Sequence, residues 1–184
     1  GDETALTVQK IPTTNQVTLV KSITTLGTSD KTNELIQYIT TAGSVTTLTG
    51  PTGSHGTVRD FNGNVFTADS VNHVIRKTNV NGTVTVLAGA IGLAGSADGT
   101  RSAARFNNPT GLAVDINGNV YVADTENSTI RKITSEGVVT TIAGLPGVDG
   151  LMDGTKGYAW FAYPEGITIN TDGNLYVADT GNAM

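Results

Sequence analysis

The chain has 184 residues, no cysteine, and enough excess acid for a net charge of −5. That composition excludes disulfides and thiolate metal centres and gives nucleic acid no basic footprint to bind. No apolar run approaches the roughly 20 residues of a membrane-spanning helix. With 23 glycines, abundant threonine and only 15% charged residues, the chain favours one domain of many short strands joined by tight turns. A Thr-rich, Lys-poor, cysteine-free β protein points to an extracellular or cell-surface setting.

In chain order, residues 1–16 read as an N-terminal extension or linker containing the apolar stretch ALTVQKI, residues 5–11. A degenerate repeat follows. NELIQYITTAGSVTTLTG, from Asn33, matches NHVIRKTNVNGTVTVLAG, from Asn72, and the same offset aligns Asp30 with Asp69. From there the repeat becomes rigid. Asp69, Asp124 and Asp179 are spaced by 55 residues, as are Asn72, Asn127 and Asn182, and Gly63, Gly118 and Gly173. Internal repetition of this length marks stacked supersecondary units.

One full unit, from Pro109 to Gly144, reads as four antiparallel strands: GLAVDI, NVYVAD, TIRKIT and VVTTIA. Asn117-Gly118 is expected to supply the positive φ angles of a tight hairpin turn, with equivalent turns at Asn62-Gly63 and Asp172-Gly173. Such a sheet cannot cover both its faces alone and must stack on its neighbours. Two long connectors, AIGLAGSADGTRSAARFNNP and LPGVDGLMDGTKGYAWFAYP, share a skeleton of D-G-T-[RK]-x-x-A-x-F ending at proline. Asp98-Gly99 and Asp153-Gly154 are predicted turns leading into a single helical turn. Phe106 and Phe161 are predicted anchors, both buried between adjacent sheets in equivalent places.

The segment NNPTGLAVDINGNVYVADTENSTIRKI resembles the NHL repeat, whose pattern includes NxPxGLAVDxxGNVYVADTxNxxIRK. The resemblance spans roughly residues 17 to 184 and implies an all-β fold: a β-propeller of four-stranded antiparallel blades, with about three and a half blades in this chain and six in the ring. The implied blades are about 17–50, 51–89, 90–144 and 145–184, the last incomplete. Propellers of this type serve as binding platforms, RNA readers, sensor ectodomains or, more rarely, lyases. The last copy, NLYVADTGNAM, breaks off at Met184, and three readings are open. The preferred one is the N-terminal part of a longer propeller, with C-terminal blades missing. The others are self-association of copies through open edges, and a closed ring in which residues 5–11 pair beside the strand around Tyr176.

The candidate site residues divide as follows. Asp69, Asp124 and Asp179, with Asp30 as a weaker fourth, sit at strand ends, where a carboxylate accepts backbone N–H bonds from the following turn. Asp98 and Asp153 read as turn and capping residues. A calcium loop wants several oxygen donors at close spacing, and the second connector adds only Asp149. Calcium therefore ranks low, and no other cofactor or catalytic set is expected. His55 and His73 read as surface-turn residues. Arg76-Lys77 and Arg131-Lys132 should split between solvent and an interblade contact, since neighbours on a strand face opposite ways. Trp160 and Tyr163 depart from the repeat and are either packed on a neighbouring blade or available for protein or carbohydrate contacts. The expected function is a non-enzymatic interaction platform or assembly subunit. The rival is a lyase- or lactonase-type propeller enzyme with a divalent metal in its channel.

Overall fold

In the computed structural model the described residues are 29–30, 35–39, 45–49 and 54–182; the predicted roles of residues 5–11 and the rest of the first unit lie outside them. The described residues are all-β. Strands β1 (Ser29–Asp30), β2 (Leu35–Ile39) and β3 (Val45–Thr49) form an antiparallel sheet. A four-stranded sheet follows from β4 (Ser54–Arg59), β5 (Val65–Asp69), β6 (Val74–Thr78) and β7 (Val84–Gly89) in sequence order. The next sheet comprises β8 (Gly99–Thr100), β9 (Pro109–Val114), β10 (Val120–Asp124), β11 (Thr129–Ile133) and β12 (Val138–Ala143), arranged β8-β12-β11-β10-β9. Strands β13 (Pro164–Ile169) and β14 (Leu175–Asp179) pair antiparallel.

The hairpin turns fall where expected, but their chemistry differs. Gly63, Gly118 and Gly173 have positive φ, whereas Asn117 does not. The turn is set by the residue ahead of it. The Asp115 carboxylate accepts the N–H groups of Asn117 and Asn119 at 2.9 and 2.8 Å, and Asn170 Oδ1 does the same for Asp172 and Asn174. This side-chain mimic of a turn holds the middle residues right-handed and leaves the glycine alone to reverse.

Each connector contains one predicted helical turn, a 3₁₀ turn at Arg101–Ala103 and at Lys156–Tyr158. Asp98-Gly99 is not a turn. Gly99 and Thr100 pair with Val139 and Val138 as a short outer strand, because the Asp98 side chain is fixed on β12 as described below. It caps nothing either: Thr100 is the N-cap residue and makes no side-chain cap bond. Asp153-Gly154 is irregular backbone instead of the predicted turn.

The core lies between the β4–β7 and β8–β12 sheets. Phe66, Ile75 and Leu87 of the first meet Leu112, Val120, Val122 and Ile133 of the second, with Phe106 inserted among them. Phe106 is 0% exposed, as the anchor role requires. Phe161 is only half-buried, which corrects the expectation of equal burial. The sheet on its far side has two strands among the described residues, against five around Phe106.

Candidate functional site: the inner-strand cleft

The repeated carboxylates are clamps. Asp124 Oδ1 accepts the Asn107 N–H at 2.7 Å, and Asp179 Oδ1 accepts the Ala162 N–H at the same distance. Each therefore holds the connector before its blade, and the expected backbone N–H from the following turn is seen, among the described residues, only at Asp69, which accepts that of Asn72 at 3.1 Å. Asn127 and Asn182 reinforce their carboxylates from three residues on, at 2.7 and 2.6 Å, and Asn72 does so for Asp69 at 3.0 Å. Arg131 completes the second clamp. It bonds Asp124 at 2.7 Å, Asp98 at 2.8 Å and the carbonyls of Arg105 and Ala97. Its guanidinium lies 5.2 Å from the Phe106 ring centre. Asp98 also accepts from the Thr141 N–H and hydroxyl, so one arginine ties strand, connector and outer edge together.

Burial pushes the Asp124 carboxyl up to about 6, against the lowering pull of Arg131 and the Asn107 N–H. Partial burial also acts to raise Asp98, but the bonds from Thr141 and Arg131 outweigh it and hold the group below its ordinary value. The second basic residue of each pair is a packing group. Lys77 lies over Phe66, and Lys132 over Tyr121. The expected split between solvent and an interblade contact is not what the pairs show: each arginine faces the carboxylate of its own unit, Asp69 for Arg76 and Asp124 for Arg131, and each lysine lies over a ring of its own sheet.

Neither histidine is a plain surface-turn residue. His73 is partly buried in the left-handed conformation, and its Nδ1 accepts the Asn108 N–H of the next unit at 3.1 Å. Ser128, at the equivalent position, accepts the Tyr163 N–H and donates to Asp149. His55 lies in β4 and bonds Ser70. No spacing in the repeat hints at that pair, and Ser70 is buried, out of reach of a substrate. Trp160 is half-buried against Gly150, whose added Cβ would meet its ring at 3.2 Å. Tyr163 is 44% exposed. Asp153 is exposed. Among the described residues no group of three or more His, Asp or Glu side chains is placed to hold a metal ion.

The repeat also builds a feature that no motif announces. Strands β4, β9 and β13 are each the edge of their sheet and stand side by side. At Gly56 an added Cβ would come within 2.0 Å of the Thr110 carbonyl oxygen, and at Gly111 within 2.2 Å of the Glu165 oxygen. Only glycine permits that approach, and strand pairing is irregular beside it in all three units. Thr110 Oγ1 adds a bond to the Glu165 carbonyl, and Thr125 Oγ1 one to that of Pro164. Beyond the glycines a cleft of ≈ 390 Å³ opens, lined by residues including Val58, Arg59, Phe61, Leu112, Ile167 and Thr168. Among the described residues that line it, Arg59 alone is charged. The 55-residue register carries the signal: Arg59 falls where the other units have Val114 and Ile169.

Edge strands side by side, each starting a separate antiparallel sheet, define a protein of the β-propeller type. The repeat resembles the NHL repeat, whose model matches residues 106–133 and 161–183; those two segments carry NHL repeats. It is similar to NHL repeat-containing protein 2 of Gallus gallus, 51% identical over 59 residues that make up 32% of this chain and 8% of that protein. It is also similar to human Teneurin-4, 38% identical over 93 residues, 43% of this chain and 3% of that one. Among solved structures it resembles a structural-genomics protein of unknown function from Bacteroides thetaiotaomicron. That likeness has a TM-score of 0.68 at 26% identity and covers 80% of this chain and 40% of the other. The chain thus spans less than a tenth of the curated relatives it matches and about two fifths of the solved one.

Proposed function

We propose that this chain is a non-enzymatic binding or structural module of a secreted or cell-surface protein, acting as an interaction platform or assembly subunit. One observation carries the reading. The repeat is constant where it clamps and varied where it faces the strand junction: His55, Thr110 and Glu165 hold one repeat position, beside the glycines that pinch the strands together. A fixed frame with changing side chains suits recognition. The Thr-rich, cysteine-free composition supports the setting. A six-bladed ring would take further units, from a longer polypeptide or from further copies of this chain.

Trp160 is the single tryptophan, so its emission reports on the connector that also carries Tyr158 and Tyr163. Titration with a panel of soluble oligosaccharides, read by that emission, should give a saturable shift that Tyr163→Ala weakens. No shift across the panel, together with metal-dependent turnover of lactone or ester substrates, would favour the lyase- or lactonase-type alternative.

A further inference from the structure

We propose that the outer edge of the β4–β7 sheet, at Arg76, Val84 and Val86, is a docking site for an extended, aspartate-bearing segment of a different protein. The chain shows the occupied form of such a site one unit later. There the connector lies along the outer edge of β12, with Gly99 opposite Val139 and Thr100 opposite Val138. The Asp98 carboxylate accepts the Thr141 N–H at 3.0 Å and an Arg131 N–H at 2.8 Å. Under this cover Val139 is 1% exposed, and the Arg131 side chain is 0% exposed.

The 55-residue register places Arg76, Val84 and Val86 where Arg131, Val139 and Thr141 stand. The pairing is also the same: Arg76 lies opposite Val86 as Arg131 lies opposite Thr141. What differs is the cover. Only residues 51–53 separate Gly50 from Ser54, against residues 90–108 between Gly89 and Pro109, so this unit has no Asp-Gly-Thr connector of its own. Among the described strands β7 is the edge of its sheet, and Val84 is 45% exposed. Arg76 bonds Asp69 through Nε at 2.7 Å, and its side chain is 18% exposed. Its charge is thereby compensated. Yet the described residues give its terminal nitrogens neither the second carboxylate nor the two carbonyls that Arg131 receives. A guanidinium has five N–H donors, and a strand edge adds its outward N–H groups. An extended peptide bearing a carboxylate satisfies both, by strand addition. Leu87, Ala88 and Gly89 are buried, so the open end of β7 stands on a fixed base and needs little ordering to bind.

This inference rests on the binding-module reading and names a partner for it, but it is tested separately. The probe is a capped, fluorescein-labelled peptide with the sequence of residues 96–102, SADGTRS, titrated with the folded chain and followed by anisotropy. Binding should saturate. The same peptide carrying Asp98→Asn should bind about tenfold more weakly, the loss of a charge-assisted hydrogen bond. Val84 shares a face with Val86 and is exposed, so its substitution leaves the core alone. Val84→Glu should weaken the aspartate peptide, and Val84→Lys should strengthen it. Arg76→Gln made together with Asp69→Asn, which strands no carboxylate, should erase the difference between the two peptides. If that double variant does not fold, the Val84 pair still decides. No saturable binding, equal affinities for the two peptides, or indifference to Val84→Glu would each overturn the proposal. So would a light-scattering mass that falls as peptide is added: the edge would then belong to a second copy, whose Asp153, Gly154 and Thr155 are exposed. Peptide binding without a Trp160 response to oligosaccharides supports this edge alone. A Trp160 response without peptide binding keeps the platform and removes the edge.

Discussion

Asp124 and Arg131 meet at 2.7 Å with both side chains at 0% exposure. Removing one member of such a pair strands the other without compensation, typically at about 3–5 kcal/mol. Arg131→Met should therefore lower unfolding stability in urea by that amount. Arg131→Met combined with Asp124→Asn should recover much of the loss, since no buried charge then remains. Asp98→Asn should cost less, because Asp98 is 49% exposed and water replaces part of what it loses. Equal losses for the two single variants would refute the assignment of Asp124 as the buried partner.

The same carboxylates set the pH profile. Asp124 lies at about 6 in the fold against an ordinary 3.8, so between those values the folded state binds more protons than the unfolded one. Its contribution to stability therefore grows as pH falls from above 6 toward 4, by on the order of 2–3 kcal/mol at most. Asp98 and Asp115 are held below their ordinary values, so what they contribute is present above that range and is lost as pH falls through their folded values. Melting temperature should peak near pH 4–5 and not near neutrality. In Asp124→Asn the rise below pH 6 should vanish while the acid limb remains.

Phe106 and Phe161 should separate under the same truncation. Complete burial makes Phe106→Ala cost about 3–5 kcal/mol. Phe161, half in solvent, removes less area from water and should cost clearly less. Denaturant midpoints of the two variants, at equal slope, decide the matter.

The contrast between these rings shows which features are legible in a sequence. Strand order, the turns at Gly63, Gly118 and Gly173, the connector helices and the anchor at Phe106 all follow from periodicity and spacing, which are local properties. The Arg131 hub is half legible: arginine follows the repeat aspartate by seven residues in two units, Asp69 with Arg76 and Asp124 with Arg131. Its burial is not, because that depends on Phe106 and the connector carbonyls closing over it. The cleft is not legible at all. Gly111 opens a predicted strand and nothing in the repeat marks Gly56, and only three strands in place reveal that their missing Cβ atoms bring neighbouring backbones together.

Those glycines give a sharp test. At Gly111 the backbone is not in the left-handed region, yet an added Cβ would lie 2.2 Å from the Glu165 carbonyl oxygen, which is backbone and cannot swing aside. At Gly118 φ is +79°, but nothing lies within 4 Å. Gly118→Ala should thus cost only the conformational strain, about 1 kcal/mol. Gly111→Ala must part β9 from β13 and should cost more than twice as much. Comparable losses in urea denaturation would mean that the inner strands are not closely apposed in solution.

The last prediction concerns the outer face of β13 and β14. In the preceding unit Ala113 and Ala123 are buried where β13 packs against β9 and β10. Their equivalents Thr168 and Ala178 are exposed, and Tyr176 beside them is 58% exposed. The surface that one unit uses to receive the next is therefore uncovered here, and apolar sheet surface of that kind recruits a partner. The isolated 184-residue chain is expected to associate, with mass rising with concentration in light scattering or sedimentation. Head-to-tail contacts would extend the assembly unless the rotation closes it. Ala178→Glu places a carboxylate on that face without touching the buried core, so it should shift the chain toward monomer with its far-UV spectrum unchanged. A compact monomer across a wide concentration range in the wild type would rule out this face as a homotypic contact.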